Sequence, residues 1–380
     1  MRSDWKKTTI DEACARVYSG GTPSTKEPAY WNGDMNWLSS GETRNKFIYE
    51  TERKITKLGV EQSSTQLAFK DSIVIATAGQ GYTRGQASFL KIDTYVNQSV
   101  LVLEADRTMV EPLFLYYNLS NRYEELRQLS DGTSTRGGLS GWIVRRMAIN
   151  LPPIDIQKKI VDVLYAIDQK IECNITINKN LEEQVSAIYQ AWFEDFSCSD
   201  GIRPYEWTMF PLADIADVTS GKRPPVKSTY QTKETPIPIL GASSIMGFTS
   251  AENYSDHILV IGRVGTHGIV QRFNGSCWAS DNTLVIRSKF YEYVNQILQR
   301  VDYHAMNRGS TQPLITQSDI KNVAVLLPDH TTLSKFEKIA ASLMAVYESN
   351  LLESTKLIAL RDTLLPCLMS GELDVSNIEL

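Results

Sequence analysis

The fold is decided by residues 160–192, IVDVLYAIDQKIECNITINKNLEEQVSAIYQAW, in which core-type positions recur with four-three spacing. The same spacing returns near the end of the chain, starting at Ile339. Such a seam is typical of coiled-coil helices, and a chain that carries it twice can pair its own two helices. The predicted seam positions are, in the first helix, Ile160, Leu164, Ile167, Ile171, Asn174, Asn178, Leu181, Val185, Ile188 and Trp192, and in the second helix Ile339, Leu343, Val346, Asn350, Glu353, Leu357, Leu360 and Leu364.

Asparagines interrupt both predicted seams. A buried Asn fixes register and partner at some cost in stability, so Asn178 and Asn350 could hydrogen-bond across an antiparallel pair. In the alternative interpretation the seam loosens there and the amides reach solvent. The second helix is predicted to end at Pro366 and Gly371, which are both helix-stopping residues.

The two halves of the chain match beyond these helices. The Val-Tyr-Ser-Gly-Gly-Thr-Pro that starts at Val17 corresponds to the Val-Thr-Ser-Gly-Lys-Arg-Pro that starts at Val218. An apolar strand that ends in Leu-Pro precedes each helix, so an internal duplication is predicted. The offset is 201 residues from Gly20 to Gly221 and 179 from Ile160 to Ile339, so the second copy is expected to be 22 residues shorter (201 minus 179).

Short apolar runs bounded by turn residues predict an α+β head in each half, with a mostly antiparallel or barrel-like sheet. The runs at 73–76, 100–103, 258–261 and 284–286 are strand-like, and 111–121 and 291–303 have helical patterns. The predicted organisation is head 1 (1–155), a spacer helix (156–197), head 2 (198–331) and a second spacer helix with a tail (332–380), the two helices forming an antiparallel coiled coil.

Several function classes are excluded by what the sequence lacks. It has no phosphate-binding Gly-x-x-x-x-Gly-Lys loop, and its four His residues are not spaced as metal or triad pairs. Five scattered Cys predict reduced thiols rather than a disulfide framework or a zinc site. No apolar run approaches a membrane span, and residues 1–7 lack the apolar region of a signal peptide, so a cytoplasmic protein is expected. We predict no catalytic residue, no metal site and no cofactor in this chain.

Polar loops recur at equivalent places in both heads. Arg, Gln and Asn can contact base edges, while Ser, Thr and backbone amides hold phosphates. Each of these residues could equally be part of a solvated turn, and their recurrence in both heads favours a DNA-binding role. The candidate DNA-binding residues are Arg84, Gln86, Thr133, Ser134, Arg136, Lys222, Arg223, Arg263, His267, Arg308, Ser310, Thr311 and Gln312.

Over essentially its whole length the chain resembles the specificity subunit of type I restriction–modification enzymes. The resemblance is carried by the openings at Val17 and Val218, Leu151-Pro-Pro-x-x-x-Gln157, the segment 180–196, and the terminal Leu360-Arg-Asp-Thr-Leu-Leu-Pro…Ser-Gly-Glu-Leu. The second half departs from the pattern, because no Gln follows Leu327-Pro328 at the corresponding place.

The resemblance implies that each head reads one half of a split DNA site and that the helices set the spacer. It also implies that the helices dock two methyltransferase subunits and that a translocating nuclease subunit joins them. S-adenosylmethionine, ATP and Mg²⁺ would then belong to those partners. The alternative is a coiled-coil scaffold with two heads that bind ligands other than DNA, which the net charge of −5 favours. A nuclease or methyltransferase in a single chain is a third class, and it would need activity from this chain alone.

Overall fold

The structure is a computed structural model that describes residues 5–79, 81–131, 138–264, 268–306 and 314–376, with the side chains of Asp131 and Cys198 left out. The chain forms two compact units. Unit 1 comprises Met1–Cys173 and Glu353–Leu380, and unit 2 comprises Asn174–Leu352.

Unit 1 contains head 1 together with parts of both long helices. Its strands are β1 (Lys6–Thr9), β2 (Cys14–Ser19), β3 (Trp31–Leu38), β4 (Phe47–Ile48), β5 (Arg53–Ile55), β6 (Gln66–Ala68), β7 (Ile73–Ala76), β8 (Ala87–Leu90), β9 (Thr94–Val96), β10 (Val100–Ala105) and β11 (Ala148–Leu151). Its helices are α1 (Lys57–Glu61), α2 (Pro112–Ser120), α3 (Tyr123–Asp131), α4 (Gly141–Arg146) and the first part of α5 (Ile154–Phe193).

The main sheet of unit 1 has the order β2-β10-β7-β8-β4, and a second sheet has the order β5-β3-β9-β6. Strands β7 and β10 are buried on both faces, which explains why they read as continuous apolar runs. Ile73 and Ile75 pack in the larger core that includes α2, while Val74 belongs to a smaller core on the opposite face. Strand β1 pairs with β11, so the start of the head is joined to the strand that leads into α5.

Unit 2 contains head 2 and the remaining parts of the long helices. Its strands are β12 (Thr208–Pro211), β13 (Asp217–Ser220), β14 (Ile237–Leu240), β15 (Ile245–Thr249), β16 (His257–Gly262), β17 (Val270–Asn274), β18 (Trp278–Ala279), β19 (Thr283–Arg287) and β20 (Ala324–Leu327). Its helices are α6 (Tyr291–Arg300) and α7 (Gln317–Lys321). It also contains α5 from Asn174 onward and the first part of α8 (His330–Ser370), up to Leu352.

Head 2 repeats the framework of head 1. Its sheets have the orders β13-β19-β16-β17, β15-β14-β18 and β12-β20. They correspond to β2-β10-β7-β8, to part of the second sheet and to β1-β11 in head 1. The parallel pairs β3–β9 of head 1 and β14–β18 of head 2 are equivalent, head 1 has a second parallel pair in β4–β8, and the other described strand pairs are antiparallel. The predicted duplication and α+β class are therefore present in the fold.

Gly20 and Gly221 show why the repeated openings contain glycine. A Cβ atom on Gly20 would lie 2.0 Å from the carbonyl oxygen of Val96, and one on Gly221 would lie 2.1 Å from that of Ser280. The backbone at the end of β2 or β13 can approach its neighbour this closely only without a side chain.

The helix register of the second half differs from the predicted one. Strand β20 begins 176 residues after β11 (324 minus 148), and α8 begins 176 residues after α5 (330 minus 154). The predicted offset of 179 was therefore wrong, and the second copy is 25 residues shorter (201 minus 176). In the corrected register Ile160 corresponds to Phe336, and both are buried.

The predicted seam of α5 lies on its buried face, except at two positions where the next residue in the chain is the buried one. Ile167 and Ile188 are half-buried, and their neighbours Asp168 and Tyr189 are buried instead. The other α5 seam residues are buried apart from the half-buried Trp192: Ile160, Leu164, Ile171, Asn174, Asn178, Leu181 and Val185.

Half of the predicted α8 seam residues were wrong, namely the column of every seventh residue that starts at Ile339. Ile339, Val346 and Leu360 are 39%, 47% and 47% exposed, and Glu353 is exposed as well. The inward column consists of Ala340, Tyr347, Ser354 and Arg361, whose small or polar side chains hide the seam from a hydrophobic pattern. The other predicted column is half-buried: Leu343, Asn350, Leu357 and Leu364.

The end of α8 also differs from prediction. The helix continues through Pro366 to Ser370. It ends at Gly371, whose φ of +75° is the left-handed conformation typical of a helix C-terminus.

Candidate nucleic-acid interface

In unit 1, hydrogen bonds gather the predicted recognition loops at one end of the main sheet. The Thr77 N–H donates to the Ser99 carbonyl at 2.8 Å, and the Leu139 N–H donates to the Thr77 carbonyl at 2.8 Å. These bonds bring together the glycine-rich loop after β7, the turn before β10 and the segment that follows residues 132–137. We call this arrangement the loop cluster of head 1.

Unit 2 has the same arrangement. The Arg263 N–H donates to the Asn282 carbonyl at 3.0 Å, and the Ile315 N–H donates to the Arg263 carbonyl at 2.9 Å. Arg263 thus occupies the place of Thr77, and the segments around it form the loop cluster of head 2. The recurrence that the sequence indicated is a shared backbone geometry, on which the side chains differ.

The predicted DNA-binding residues divide into those that the structure describes and those that it does not. Lys222 and Arg223 are exposed beside the loop cluster of head 2, where the Lys222 N–H donates to the Ala279 carbonyl at 2.9 Å. Gln86 and Arg263 are half-buried, and among the described residues nothing hydrogen-bonds to Gln86 Oε1 or to Arg263 Nε. The rest, apart from Arg84, lie outside the described residues: Thr133, Ser134, Arg136, His267, Arg308, Ser310, Thr311 and Gln312.

Arg84 is placed differently from the expectation. Its side chain is buried, with the residue only 8% exposed, and its carbonyl accepts a hydrogen bond from Arg127 Nη1 at 3.4 Å. A side chain that contacts base edges must be accessible. In this conformation the Arg84 side chain is instead buried in the glycine-rich loop region. The prediction of a direct DNA contact for Arg84 conflicts with this placement.

Exposed aromatic residues near the loop cluster of head 1 were missed by the sequence reasoning. Tyr82 is 82% exposed in the glycine-rich loop, and the Tyr123 hydroxyl donates to its carbonyl at 3.0 Å. Trp142, 59% exposed, lies in α4 just after Leu139, with the Arg146 guanidinium 5.5 Å from its ring centre. Large exposed rings beside a cation suit stacking or phosphate contacts, and a Tyr within a glycine-rich loop is the signal that could have identified the first.

A buried ionic network joins head 1 to the long helices within unit 1. Asp168 of α5 accepts from Arg361 Nη1 of α8 at 2.7 Å and from the Tyr117 hydroxyl at 2.9 Å, and Lys46 Nζ lies 3.4 Å away. The side chains of Asp168 and Arg361 are 3% and 9% exposed. Burial lowers the pKa of Lys46, while the charge of Asp168 acts in the opposite direction. The network connects α2 and the residue before β4 of head 1 to both long helices.

In unit 2 a different set of charged side chains connects the head to α8. The Glu337 carboxylate of α8 accepts the N–H of Glu292 at 2.9 Å and that of Tyr293 at 3.3 Å, at the start of α6. Arg272 of β17 donates to Glu292 at 2.7 Å. Burial raises the pKa of Glu337 to about 7, against the lowering effect of the two N–H donors.

The predicted hydrogen bond between the seam asparagines is present. Asn350 Nδ2 donates to Asn178 Oδ1 at 2.9 Å, and Asn178 Nδ2 donates to the Tyr347 carbonyl at 3.1 Å. Asn174, which corresponds to Asn350 in the repeat, contacts the Asn350 carbonyl at 3.5 Å. These polar contacts are specific to one axial register of the two antiparallel helices.

The described residues contain no group of three or more His, Cys, Asp or Glu side chains that could hold a metal ion. No helix in the described part of the chain has the length and apolarity to cross a membrane.

The acidic net charge of the chain lies in the two segments that contain the long helices α5 and α8. Residues 154–197 and 330–380 carry 8 Lys and Arg against 15 Asp and Glu, a net of −7. Residues 1–153 carry 19 against 17, and residues 198–329 carry 12 against 12, so the heads are at +2 and 0. The total of −5 therefore says little about the heads, and the support that it gave to a scaffold that does not bind DNA is removed.

Comparisons with known proteins agree with this geometry. The family model of the type I restriction modification DNA specificity domain matches residues 2–183 and 204–361. The chain is 25% identical to the MjaIX specificity subunit of Methanocaldococcus jannaschii over 99% of this chain and 95% of that protein. It is 22% identical to the HindI specificity subunit of Haemophilus influenzae over 74% of this chain and 82% of that one.

Among solved structures, the S subunit of a type I restriction–modification system from M. genitalium has the same fold. The TM-score is 0.64 at 18% identity, and the match covers 96% of each chain. The family model, matched once in each half, covers most of the sequence. The chain therefore belongs to the family of type I restriction–modification DNA specificity subunits, which are not enzymes by themselves.

Proposed function

We propose that each head of this chain reads one half of a bipartite, asymmetric DNA site through its loop cluster. The observation that carries the proposal is the shared hydrogen-bonded framework of the two clusters, with Thr77 in one and Arg263 in the other at the equivalent position. A fixed framework with different side chains and segment lengths suits two readers of different sequences.

The long helices are proposed to set the distance between the half-sites. The 40 residues of α5 correspond to roughly 60 Å at ~1.5 Å per residue. Such a length exceeds the ~34–36 Å of one DNA turn, so it is sufficient to separate two major-groove readers by at least one turn. The asparagine contacts and the Asp168 network would hold the helices in one register and so keep this distance constant.

We further propose that the helices dock the methyltransferase subunits of the complex, with a translocating nuclease subunit joining for restriction. The exposed column of α8 supports this, because Ile339, Val346 and Leu360 are aliphatic residues of a regular helix that remain exposed in the described fold. Further exposed aliphatic residues lie on the same helices: Ile175, Ile177, Leu351, Leu352 and Ile358. S-adenosylmethionine, ATP and Mg²⁺ would be held by those partners in the cytoplasm.

Exchanging a head tests this proposal. Residues 1–150 are replaced by head 1 of another specificity subunit, and the chain is expressed with its methyltransferase partner before methylome sequencing of the host. One half of the methylated site should change while the other half and the spacer stay the same. A change in both halves would contradict independent reading by the two heads.

A further inference from the structure

A strongly basic segment of head 2 lies outside every regular element of the fold. It follows β13 and precedes β14, and we call residues 222–234 the basic loop. Nearly all of its side chains are exposed, and its only secondary structure is one isolated bridge at Ser228. It contains four cations and one anion: Lys222, Arg223, Lys227, Lys233 and Glu234.

The basic loop is held in place by its backbone. The Trp278 indole N–H donates to the Lys222 carbonyl at 2.7 Å. Further along, Ser228 and Phe248 exchange two backbone hydrogen bonds of 2.8 Å each. Ser228 can lie this close because residue 247 is glycine: a Cβ there would be 2.6 Å from the Ser228 carbonyl oxygen. The cations are thus presented from an ordered backbone, which reduces the entropy lost on binding.

The basic loop is continuous with the loop cluster of head 2. The Gly221 N–H donates to the Thr283 carbonyl at 3.1 Å, directly beside the Asn282 carbonyl that anchors Arg263. Lys222 and Arg223 therefore lie next to the loop cluster, and Lys227 and Lys233 follow later in the same loop.

Head 1 has no comparable segment. After Gly20, the residues that lead to β3 contain one cation and one anion, Lys26 and Glu27, and include a short helical turn at Pro28–Tyr30. The loop cluster of head 1 instead has Tyr82 and Trp142 exposed nearby. The two heads therefore differ in charge at this place although their sheets agree.

We propose that the basic loop binds the DNA phosphate backbone beside the half-site of head 2, and that Lys227 and Lys233 contact phosphates without reading bases. This deepens the proposed function and depends on it. Double-stranded DNA presents about one phosphate charge per ~1.7 Å, so several exposed cations on an ordered backbone can each meet a phosphate. Head 2 then supplies more of the salt-dependent, sequence-independent affinity than head 1.

The test uses the full chain assembled with its methyltransferase subunit and a duplex that carries the site found by methylome sequencing. The variant Lys227→Gln/Lys233→Gln is compared with wild type and with the control Lys289→Gln/Lys321→Gln. The control residues lie near Arg287, at the opposite end of β13 and β19 from the basic loop. Melting temperatures are measured for all three proteins, so that a loss of binding is not confused with unfolding.

The slope of log affinity against log salt should fall by about 1.8 in the basic-loop variant, from ~0.9 per lost phosphate contact. Between 50 and 200 mM salt this corresponds to about a 12-fold smaller loss of affinity than for wild type. The control should keep the wild-type slope, and all three proteins should prefer the same site. An unchanged slope, or a relaxed half-site preference, in the basic-loop variant would overturn the inference. A wild-type complex that shows no salt-dependent preference for the site would instead overturn the proposed function.

Discussion

The buried network at Asp168 gives the sharpest prediction about the stability of unit 1. Asp168→Ala removes the partner of Arg361 and of the Tyr117 hydroxyl, which lie 2.7 and 2.9 Å from its carboxylate. Removing one partner of a buried ion pair costs about 3–5 kcal/mol, and Arg361 keeps its second ion pair with the exposed Asp362, 2.7 Å from Nη2, which places the loss at the low end. The half-exposed Lys46 adds less than about 1 kcal/mol, because solvent screens its interaction. We therefore expect the variant to lose roughly 3 kcal/mol of local stability.

The repeat itself supplies the rescue variant. In the corrected register Asp168 corresponds to Met344 and Arg361 to Val185, both of which are buried in the core of unit 2. The triple variant Asp168→Met/Arg361→Val/Tyr117→Phe copies this apolar pair and removes the hydroxyl that would lose its acceptor. Replacing a buried ion pair by packed apolar residues is often neutral or stabilising, so most of the lost stability should return.

Amide hydrogen exchange of the full chain measures both effects locally. Amides at 154–173 and 353–370 should exchange faster in Asp168→Ala and regain protection in the triple variant, while those of head 2 stay as in wild type. Unchanged protection in Asp168→Ala would refute the importance of the network. Protection in the triple variant as poor as in Asp168→Ala would refute the view that charge burial, rather than packing, causes the loss.

Three further predictions concern pH, assembly and packing. Between about pH 4.5 and 7, the range between its unfolded and folded pKa, the folded protein keeps a proton on Glu337 that the unfolded chain releases. The melting temperature of wild type should therefore fall with rising pH relative to that of Glu337→Gln. Parallel curves of melting temperature against pH would contradict a buried Glu337 carboxyl. Val346→Glu should leave the melting temperature unchanged but weaken binding of the methyltransferase subunit in a pull-down, whereas the control Ala341→Glu, exposed on another face of the same helix, should bind normally; equal binding of the two variants would argue against docking on this column. Gly221→Ala should destabilise unit 2 by roughly 1–3 kcal/mol in thermal melting through its clash with a carbonyl oxygen, while Gly41→Ala, whose Cβ would meet nothing closer than 3.7 Å, should not; equal melting would refute the close approach.

The sequence predicted the elements whose residues are buried on both faces. The runs at 73–76 and 258–261 were identified as strands because every residue in them is apolar, and the structure has β7 and β16 there. The helical patterns at 111–121 and 291–303 correspond to α2 and α6. The sequence of residues 9–17 does not distinguish helix from strand, and the structure has parts of β1 and β2 there, paired with strands distant in the chain.

The sequence failed where polar residues fill the core of the helices. Tyr347, Ser354 and Arg361 occupy the inward column of α8, so the apolar pattern indicated the exposed column instead. Arg361 is buried because Asp168 neutralises it, and that partner is 193 residues away in the chain. A pair of this kind is invisible to local periodicity.

The DNA-binding residues were predictable only as loops. The hydrogen bonds of Thr77 and Arg263 place the start of each glycine-rich loop beside the segment that follows the polar loop of the same head. Which side chains are accessible depends on loop conformation, and composition alone did not distinguish the buried Arg84 from the exposed Lys222.

We propose that the paired helices set the spacing of the DNA site. Residues 169–175 and 351–357 lie between the Asp168–Arg361 and Asn178–Asn350 contacts, so deleting both heptads shortens the two helices together while both contacts and the seam register are kept. The lost rise of ~10 Å equals about three base-pair steps of ~3.4 Å. Methylome sequencing of cells that express the deletion variant with its methyltransferase should show both half-sites unchanged and a spacer about three base pairs shorter. Methylation at the original spacing would contradict the claim.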